Sequence, residues 1–206
     1  MIIIYIIIIG TVLISFLGFQ NRLLFEKLRF DPYSIGINKD WYRFFSYALL
    51  HADWGHLLIN MFVLYSFGLN VVDSFEKYFE SKAIFYFILL YVGGVFISVI
   101  PSFEKHKNDP YYTAIGASGA VSAILFSSIL MLPTGKIIFL LLPVPIPAFI
   151  FGVLYLIYSW YMSKKGKDNI GHDVHFFGAI FGFVFTIILK PNLFIIFINQ
   201  LLTFFN

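Results

Sequence analysis

Three short segments hold the side chains able to do chemistry in this chain of 206 residues, which contains no cysteine. His51, His56 and Asn60 lie in HADWGHLLIN, Ser118 lies in GASGAVSA, and His172 and His175 lie in GHDVHFFGAIFG. A hydroxyl that attacks a carbonyl, an imidazole that takes its proton and a His/Asn donor set that holds the developing oxyanion are the parts acyl transfer requires. Each also has an ordinary reading. A serine in an apolar helix commonly bonds a backbone carbonyl of its own helix, and His56 with Asn60 is the usual kind of polar pair between membrane helices. His51 reads as an interfacial residue, and His172 with Asp173 as solvated residues at a membrane boundary. His106, set among Glu104, Lys105 and Lys107, is given no role. Without cysteine there is no disulfide framework, thiolate metal site or thiol nucleophile; no metal and no cofactor are expected.

The elements that must position these groups follow from composition. Hydrophobic residues make up 60% of the chain and charged residues only 12%, where a water-soluble domain carries about a quarter. Mean hydropathy is +0.86. Charges cluster and leave uncharged stretches at 1–21, 54–72, 83–103, 110–135, 137–163 and 174–189, each close to the roughly 20 residues that cross a bilayer core as a helix. The stretches lack the alternation of barrel strands, and a helix satisfies its own backbone in lipid. The expected fold is an all-α membrane protein, a polytopic bundle of six transmembrane helices with an interfacial first loop, in one domain over 1–206. The spans fall at about 1–20, 56–73, 83–102, 115–133, 147–163 and 172–190. The first stretch lacks a basic leader and a small-residue cleavage site, so it reads as a retained helix. Residues 191–206, opening on Pro191 and carrying Asn192, Asn199 and Gln200, read as the end of span six or an interfacial tail. Four prolines between 133 and 147 separate spans four and five. The 14 Lys and Arg are scattered through the connections, which excludes a nucleic-acid partner.

Counting then brings the chemistry together. Consecutive spans alternate in direction, so the starts of spans two, four and six emerge on one side, and those starts carry His51, His56 and Asn60, then Ser118, then His172 and His175. His56 and Asn60 are four apart and share a helix face; His175, Gly178 and Gly182 share a stripe. Ser118 and Ser122 offer a facing stripe on span four, and small residues let two membrane helices approach closely.

With these elements in place the chain resembles the rhomboid family of intramembrane serine proteases. The resemblance rests on His51, His56 and Asn60 in HxxxxHxxxN, on Gly116-Ala117-Ser118-Gly119 in GxSG, on His175 ahead of Gly178 and Gly182, and on Trp41-Tyr42-Arg43 in the first loop. It implies Ser118 as nucleophile and His175 as general base. It implies an oxyanion hole of His56, Asn60 and the Ser118 amide, with Gly116, Gly119, Gly178, Gly182 and Arg43 in packing roles. The family often has an aromatic residue four positions after the nucleophile, against the catalytic imidazole; this chain has Ser122 there. Asp173, two residues from His175, points to a different helix face, so a Ser-His dyad is expected rather than a triad.

The function so implied is an endopeptidase that cuts the transmembrane segment of another membrane protein near its outer end, in the lipid bilayer of a bacterial inner membrane. The alternative is a catalytically inactive rhomboid-like protein that binds membrane helices; the presence of both Ser118 and His175 speaks for the enzyme. A transporter with a His-lined path needs polar groups at the midplane, and here they stop near one end of each span. Substrate helices with Gly, Pro or small residues at the cut are favoured, since they unwind most easily, and entry is expected beside the aromatic-rich span five (Phe149, Phe151, Tyr155, Tyr158, Trp160). Orientation divides the signals. Ten of the 14 basic residues, Lys167 among them, lie in loops on the active-site side, which by the positive-inside rule votes for a cytoplasmic site. The resemblance implies an outward-facing site, and five of those ten residues lie in the long first loop, so the outward orientation is taken.

Overall fold

A computed structural model describes residues 1–139, 142–165 and 171–206; Lys167, counted above among the basic residues, lies outside them. The chain is a helical bundle. Helix α1 (Ile2–Gln20) leads into a first loop that is itself built of short helices: α2 (Arg22–Leu28), α3 (Pro32–Asn38), α4 (Arg43–Ser46) and a 3₁₀ turn at Tyr47–Leu49. The side chains of Asn21 and Asp31 cap α2 and α3 by accepting from the amides of Leu24 at 3.0 Å and Ser34 at 2.9 Å, each satisfying one of the donors a helix start leaves free.

Arg43 holds this loop together. Its guanidinium donates to the carbonyls of Glu26 and Arg29, both at 2.9 Å, and to the Asp40 carboxylate at 3.2 Å. Tyr42 and Ser46 donate to the carbonyls of Lys27 and Leu28. The carbonyls of Glu26, Lys27 and Leu28 at the end of α2, which have no donor inside the helix, and that of Arg29 just past it are thus all taken by side chains from 42–46, so the Trp-Tyr-Arg element acts as a C-terminal cap for α2.

Helix α5 (Trp54–Phe79) starts on the Asp53 side chain, which accepts from the His56 amide at 2.8 Å. It ends where Glu80 adopts φ 51°, and a 3₁₀ turn at Glu80–Lys82 sends the chain back as α6 (Ala83–His106). Helix α7 (Ser118–Met131) occupies the centre: each residue from Gly119 to Met131 is buried, against α5, α6 and α9 (His172–Leu189). At about 1.5 Å per residue its 14 residues run about 21 Å, short of the roughly 30 Å hydrocarbon core. The proline-rich segment that follows is not merely a helix break. It forms an antiparallel hairpin of β1 (Lys136–Phe139) and β2 (Leu142–Pro147), with Lys136 opposite Pro147 and an irregularity after Ile137. The prolines are tolerated because a two-stranded hairpin is all edge. Helix α8 (Ala148–Lys165) follows directly and packs on α9 and α7.

Of the two readings of the C-terminal segment, continuation of span six is the one the structure corrects. The segment is not a continuation of the preceding helix, since α9 stops at Leu189 and a separate α10 (Asn192–Phe205) begins after Pro191. Pro191 keeps Lys190 out of helical conformation (φ −149°, ψ 88°). Helix α10 then folds against α7 and α9 with Leu193 buried.

Among the described residues, Ile2–Gln20, Trp54–His106 (taken through the turn at Glu80–Lys82) and His172–Leu189 are long and apolar enough to cross a membrane.

Candidate active site

The N-terminal ends of α5, α7 and α9 converge. The segment entering α7 is held from the first loop: the Phe30 and Ala114 backbones bridge each other, and the Gly116 amide donates to the Tyr47 carbonyl at 3.0 Å. Tyr47 is itself buried and donates its hydroxyl to the Val95 carbonyl at 2.7 Å; burial pushes its phenol up, so it stays a neutral donor. Tyr112, earlier in the same segment, is pushed up to about 12 by burial and by the nearby Asp173.

Gly116 has φ +112°, and a Cβ there would lie 2.8–2.9 Å from Cε1 and Nε2 of His56. The positive φ requires glycine, and the close approach places the His56 imidazole against the backbone that leads into Ser118. The Nδ1 of His56 faces the Ala52 amide at 3.4 Å; with Nδ1 as acceptor, Nε2 carries the proton, and it lies beside Gly116. Asn60 is buried, and its amide nitrogen donates to the His56 carbonyl at 2.9 Å, which uses one of its two N–H bonds. Ser118 is the first residue of α7, where the helix amides have no acceptor inside the helix and the dipole favours negative charge.

His175 lies in the first turn of α9. One turn on, Gly178 meets the backbone of Gly119, and Gly182 meets that of Ala123. Further along, Thr186 donates to Ser127 Oγ at 2.8 Å, locking the two helices by a buried bond. The face of α7 that meets α9 is therefore Gly119, Ala123 and Ser127, one position round from the Ser118 and Ser122 stripe expected; contact between backbones selects the residues without bulk. Ser122 instead faces α8, where its hydroxyl and that of Tyr155 are 2.6 Å apart. The Tyr155 ring lies 6.4 Å from the His175 ring at 20°, a stacked arrangement.

Two histidines differ from their expected settings. His51 is fully buried rather than interfacial, with Nδ1 2.9 Å from Ser15 Oγ of α1 and its ring edge-on to His56 at 4.9 Å. His172 is also buried, its ring edge-on to Tyr158 at 5.4 Å and to His175 at 6.0 Å. Asp173 accepts from Ser102 of α6 at 2.6 Å, so its carboxylate is turned away from His175, as the helix geometry predicts. His106 stacks on Tyr112 at 3.7 Å, away from this cluster. Tyr155 is the member of the site that sequence reasoning did not place: it stood only among the aromatics of span five, and its bond to Ser122 joins residues 33 positions apart.

A helical bundle with several apolar helices, a serine at the start of a buried central helix and histidines on the two helices beside it is the arrangement of a multi-pass membrane protein with one polar end. A profile described as the rhomboid domain matches residues 38–192, and the chain belongs to the rhomboid family. It is 30% identical over 142 residues to RHOMBOID-like protein 12, mitochondrial, of Arabidopsis thaliana, covering 64% of this chain and 41% of that protein. It is 24% identical over 121 residues to Rhomboid protease AarA of Providencia stuartii, covering 55% of this chain and 41% of that one. The chain thus matches about two fifths of the length of these relatives.

Proposed function

We propose that the chain is an intramembrane serine endopeptidase working through a Ser118–His175 dyad. The observation that carries this reading is the convergence of three helix starts: the His56 ring on the Gly116 backbone, Ser118 at the head of α7, and His175 one turn from the Gly178–Gly119 contact. Family membership and a relative named as a protease support it.

In this mechanism His175 takes the Ser118 proton as Oγ attacks the scissile carbonyl. The oxyanion of the tetrahedral intermediate receives N–H donors from the Ser118 amide, His56 Nε2 and the second N–H of Asn60. His175 returns the proton to the departing amine, leaving an acyl-enzyme. Water, deprotonated by the same imidazole, then releases Ser118. Asp173 has no part, because Ser102 holds it.

The protein makes six crossings in the cell membrane, with the active site toward the outer face. A central helix shorter than the hydrocarbon core sets its Ser118 end below the surface, and hydrolysis there requires that water reach the converging polar groups. The substrate is the transmembrane helix of another membrane protein, and its amides become accessible only where small residues or proline loosen it. The plant relative is named as mitochondrial, and that location belongs to it alone.

The test is cleavage of a membrane-spanning test protein in proteoliposomes. Wild-type protein is expected to cut within or beside the transmembrane segment and Ser118→Ala to leave it intact. A membrane-helix-binding protein without catalysis would retain the test protein on a column and never cut it.

A further inference from the structure

Among the described residues, no carboxylate hydrogen-bonds the base of the proposed dyad and no ring of α7 stacks on it. The adjacent carboxylate, Asp173, is held by Ser102 of α6, and position 122, one turn after Ser118 on α7, carries a hydroxymethyl group instead of a ring. A half-buried imidazole can rotate about two side-chain bonds, and proton transfer demands that one nitrogen stay aimed at Ser118 Oγ. His172, on the same helix, meets the imidazole only edge-on, at 6.0 Å, which leaves the face of the ring for something else to cover.

A residue of a different helix does. Tyr155 projects from α8 with its ring stacked on His175, centroids 6.4 Å apart and planes 20° from parallel, within the 4.5–7 Å range in which aromatic rings attract. The hydroxyl is tied to Ser122 Oγ at 2.6 Å, and the ring is flanked by Phe126 of α7 at 5.6 Å and Phe151 of its own helix at 5.7 Å. The small side chain at 122 is thus half of a paired arrangement: its lack of bulk admits a ring from α8, and its hydroxyl fixes that ring. A ring rooted at 122 would occupy the same space.

We infer that Tyr155, anchored by Ser122, is the positioning residue for His175. This rests on the proposed dyad for its functional meaning, while the contact itself can be read without activity. Tyr155 does not touch the reacting atoms; it acts by restricting the imidazole. It also places the device that aims the base on α8, while the nucleophile stands on α7 and the base on α9, so correct packing of three helices is needed before proton transfer is efficient.

The experiment uses the full chain with ¹³C-labelled histidine, the His175 Cε1–H resonance being assigned by its loss in His175→Gln. In parallel, kcat and KM are measured on the proteoliposome test protein, with melting temperature recorded for each variant. A stacked ring displaces that resonance, so Tyr155→Ala is expected to shift and broaden it, and Tyr155→Phe, which keeps the ring, to leave it near its wild-type position. Tyr155→Ala should lower kcat about 10- to 100-fold with KM within about twofold, and Tyr155→Phe and Ser122→Ala should each lower it only a few-fold. The double variant Ser122→Ala/Tyr155→Phe should be no worse than either single one, because each removes the same bond. Moving the ring to α7 in Ser122→Tyr/Tyr155→Ala should recover part of kcat. An unchanged His175 resonance in Tyr155→Ala overturns the inference, as does a rise in KM at constant kcat, which would make Tyr155 a substrate contact. A loss of kcat in Tyr155→Ala that Tyr155→Phe shares in full also overturns it. If the resonance responds as expected but wild type cuts nothing, the protease reading fails while the contact between ring and imidazole stands.

Discussion

Gly178 and Gly119 meet backbone to backbone: a methyl group built on Gly178 would lie 2.9 Å from the Gly119 carbonyl carbon and 3.0 Å from its Cα. Gly119 follows Ser118 directly, and Gly178 is one turn beyond His175, so this contact sets the separation of the two proposed catalytic groups. Gly178→Val is therefore expected to inactivate by at least about 100-fold, since a displacement of an ångström or so already disrupts the alignment. Gly152→Val, on α8, should be far milder, because a Cβ there meets only the ends of the Ile129 and Phe126 side chains, at 3.2 and 3.6 Å. Cleavage and melting temperature of the two variants decide the matter; full activity of Gly178→Val would remove the support for the dyad geometry.

The oxyanion donors should rank. Removal of one such donor typically lowers kcat about 10²–10³-fold. Asn60→Ala should stay near the mild end, because one of its amide hydrogens is spent on the His56 carbonyl. His56→Ala should be worse, since it also removes the ring that packs on Gly116 and against His51. Initial rates on one test protein check the order, and wild-type rates in both variants would show that the oxyanion is held elsewhere.

Arg43 predicts a stability effect without chemistry. Its bonds to Glu26 and Arg29 carbonyls and to Asp40 are made from a buried position, and hydrogen bonds from a charged group contribute about 1.5–3 kcal/mol each. Arg43→Ala should lower the melting temperature by several degrees, with Arg43→Lys only partly restoring it because a point charge cannot reach both carbonyls as the planar fork does. An unchanged melting transition would show that α2 needs no cap.

Much of this was legible from residue types alone. Helices over α1, α5, α6 and α9 follow from long runs without charge, and Ser118, His56 and His175 stand out because polar groups are costly in apolar helices. What was not legible depends on contacts between distant elements. Burial of His51 comes from Ser15 on α1, and Asp173 finds Ser102 on α6. Small residues at 118, 119, 122 and 123 offered two adjacent stripes, and only the packing of α9 selects Gly119 and Ala123. The hairpin after α7 escaped because Pro143, Pro145 and Pro147 argue against a strand in any sheet larger than two strands. The break at Pro191 was visible, but not that α10 would fold back as a helix of its own.

Orientation has its own test. With no native cysteine, single cysteines can be placed at Lys107, Lys165 and Lys82, all exposed. Those at 107 and 165 should react with an impermeant thiol reagent applied to intact cells, and the one at 82 should react only after lysis. The reverse pattern would put the site in the cytoplasm, in line with the excess of basic residues on that side.

Activation of Ser118 by His175 is tested by covalent labelling of the purified protein with a fluorophosphonate, the modified residue being located by mass spectrometry. One adduct is expected, on Ser118, absent in Ser118→Ala and abolished in His175→Ala while both variants keep the wild-type helical content. Labelling of another serine, or labelling of Ser118 that persists at the wild-type rate without His175, would contradict it.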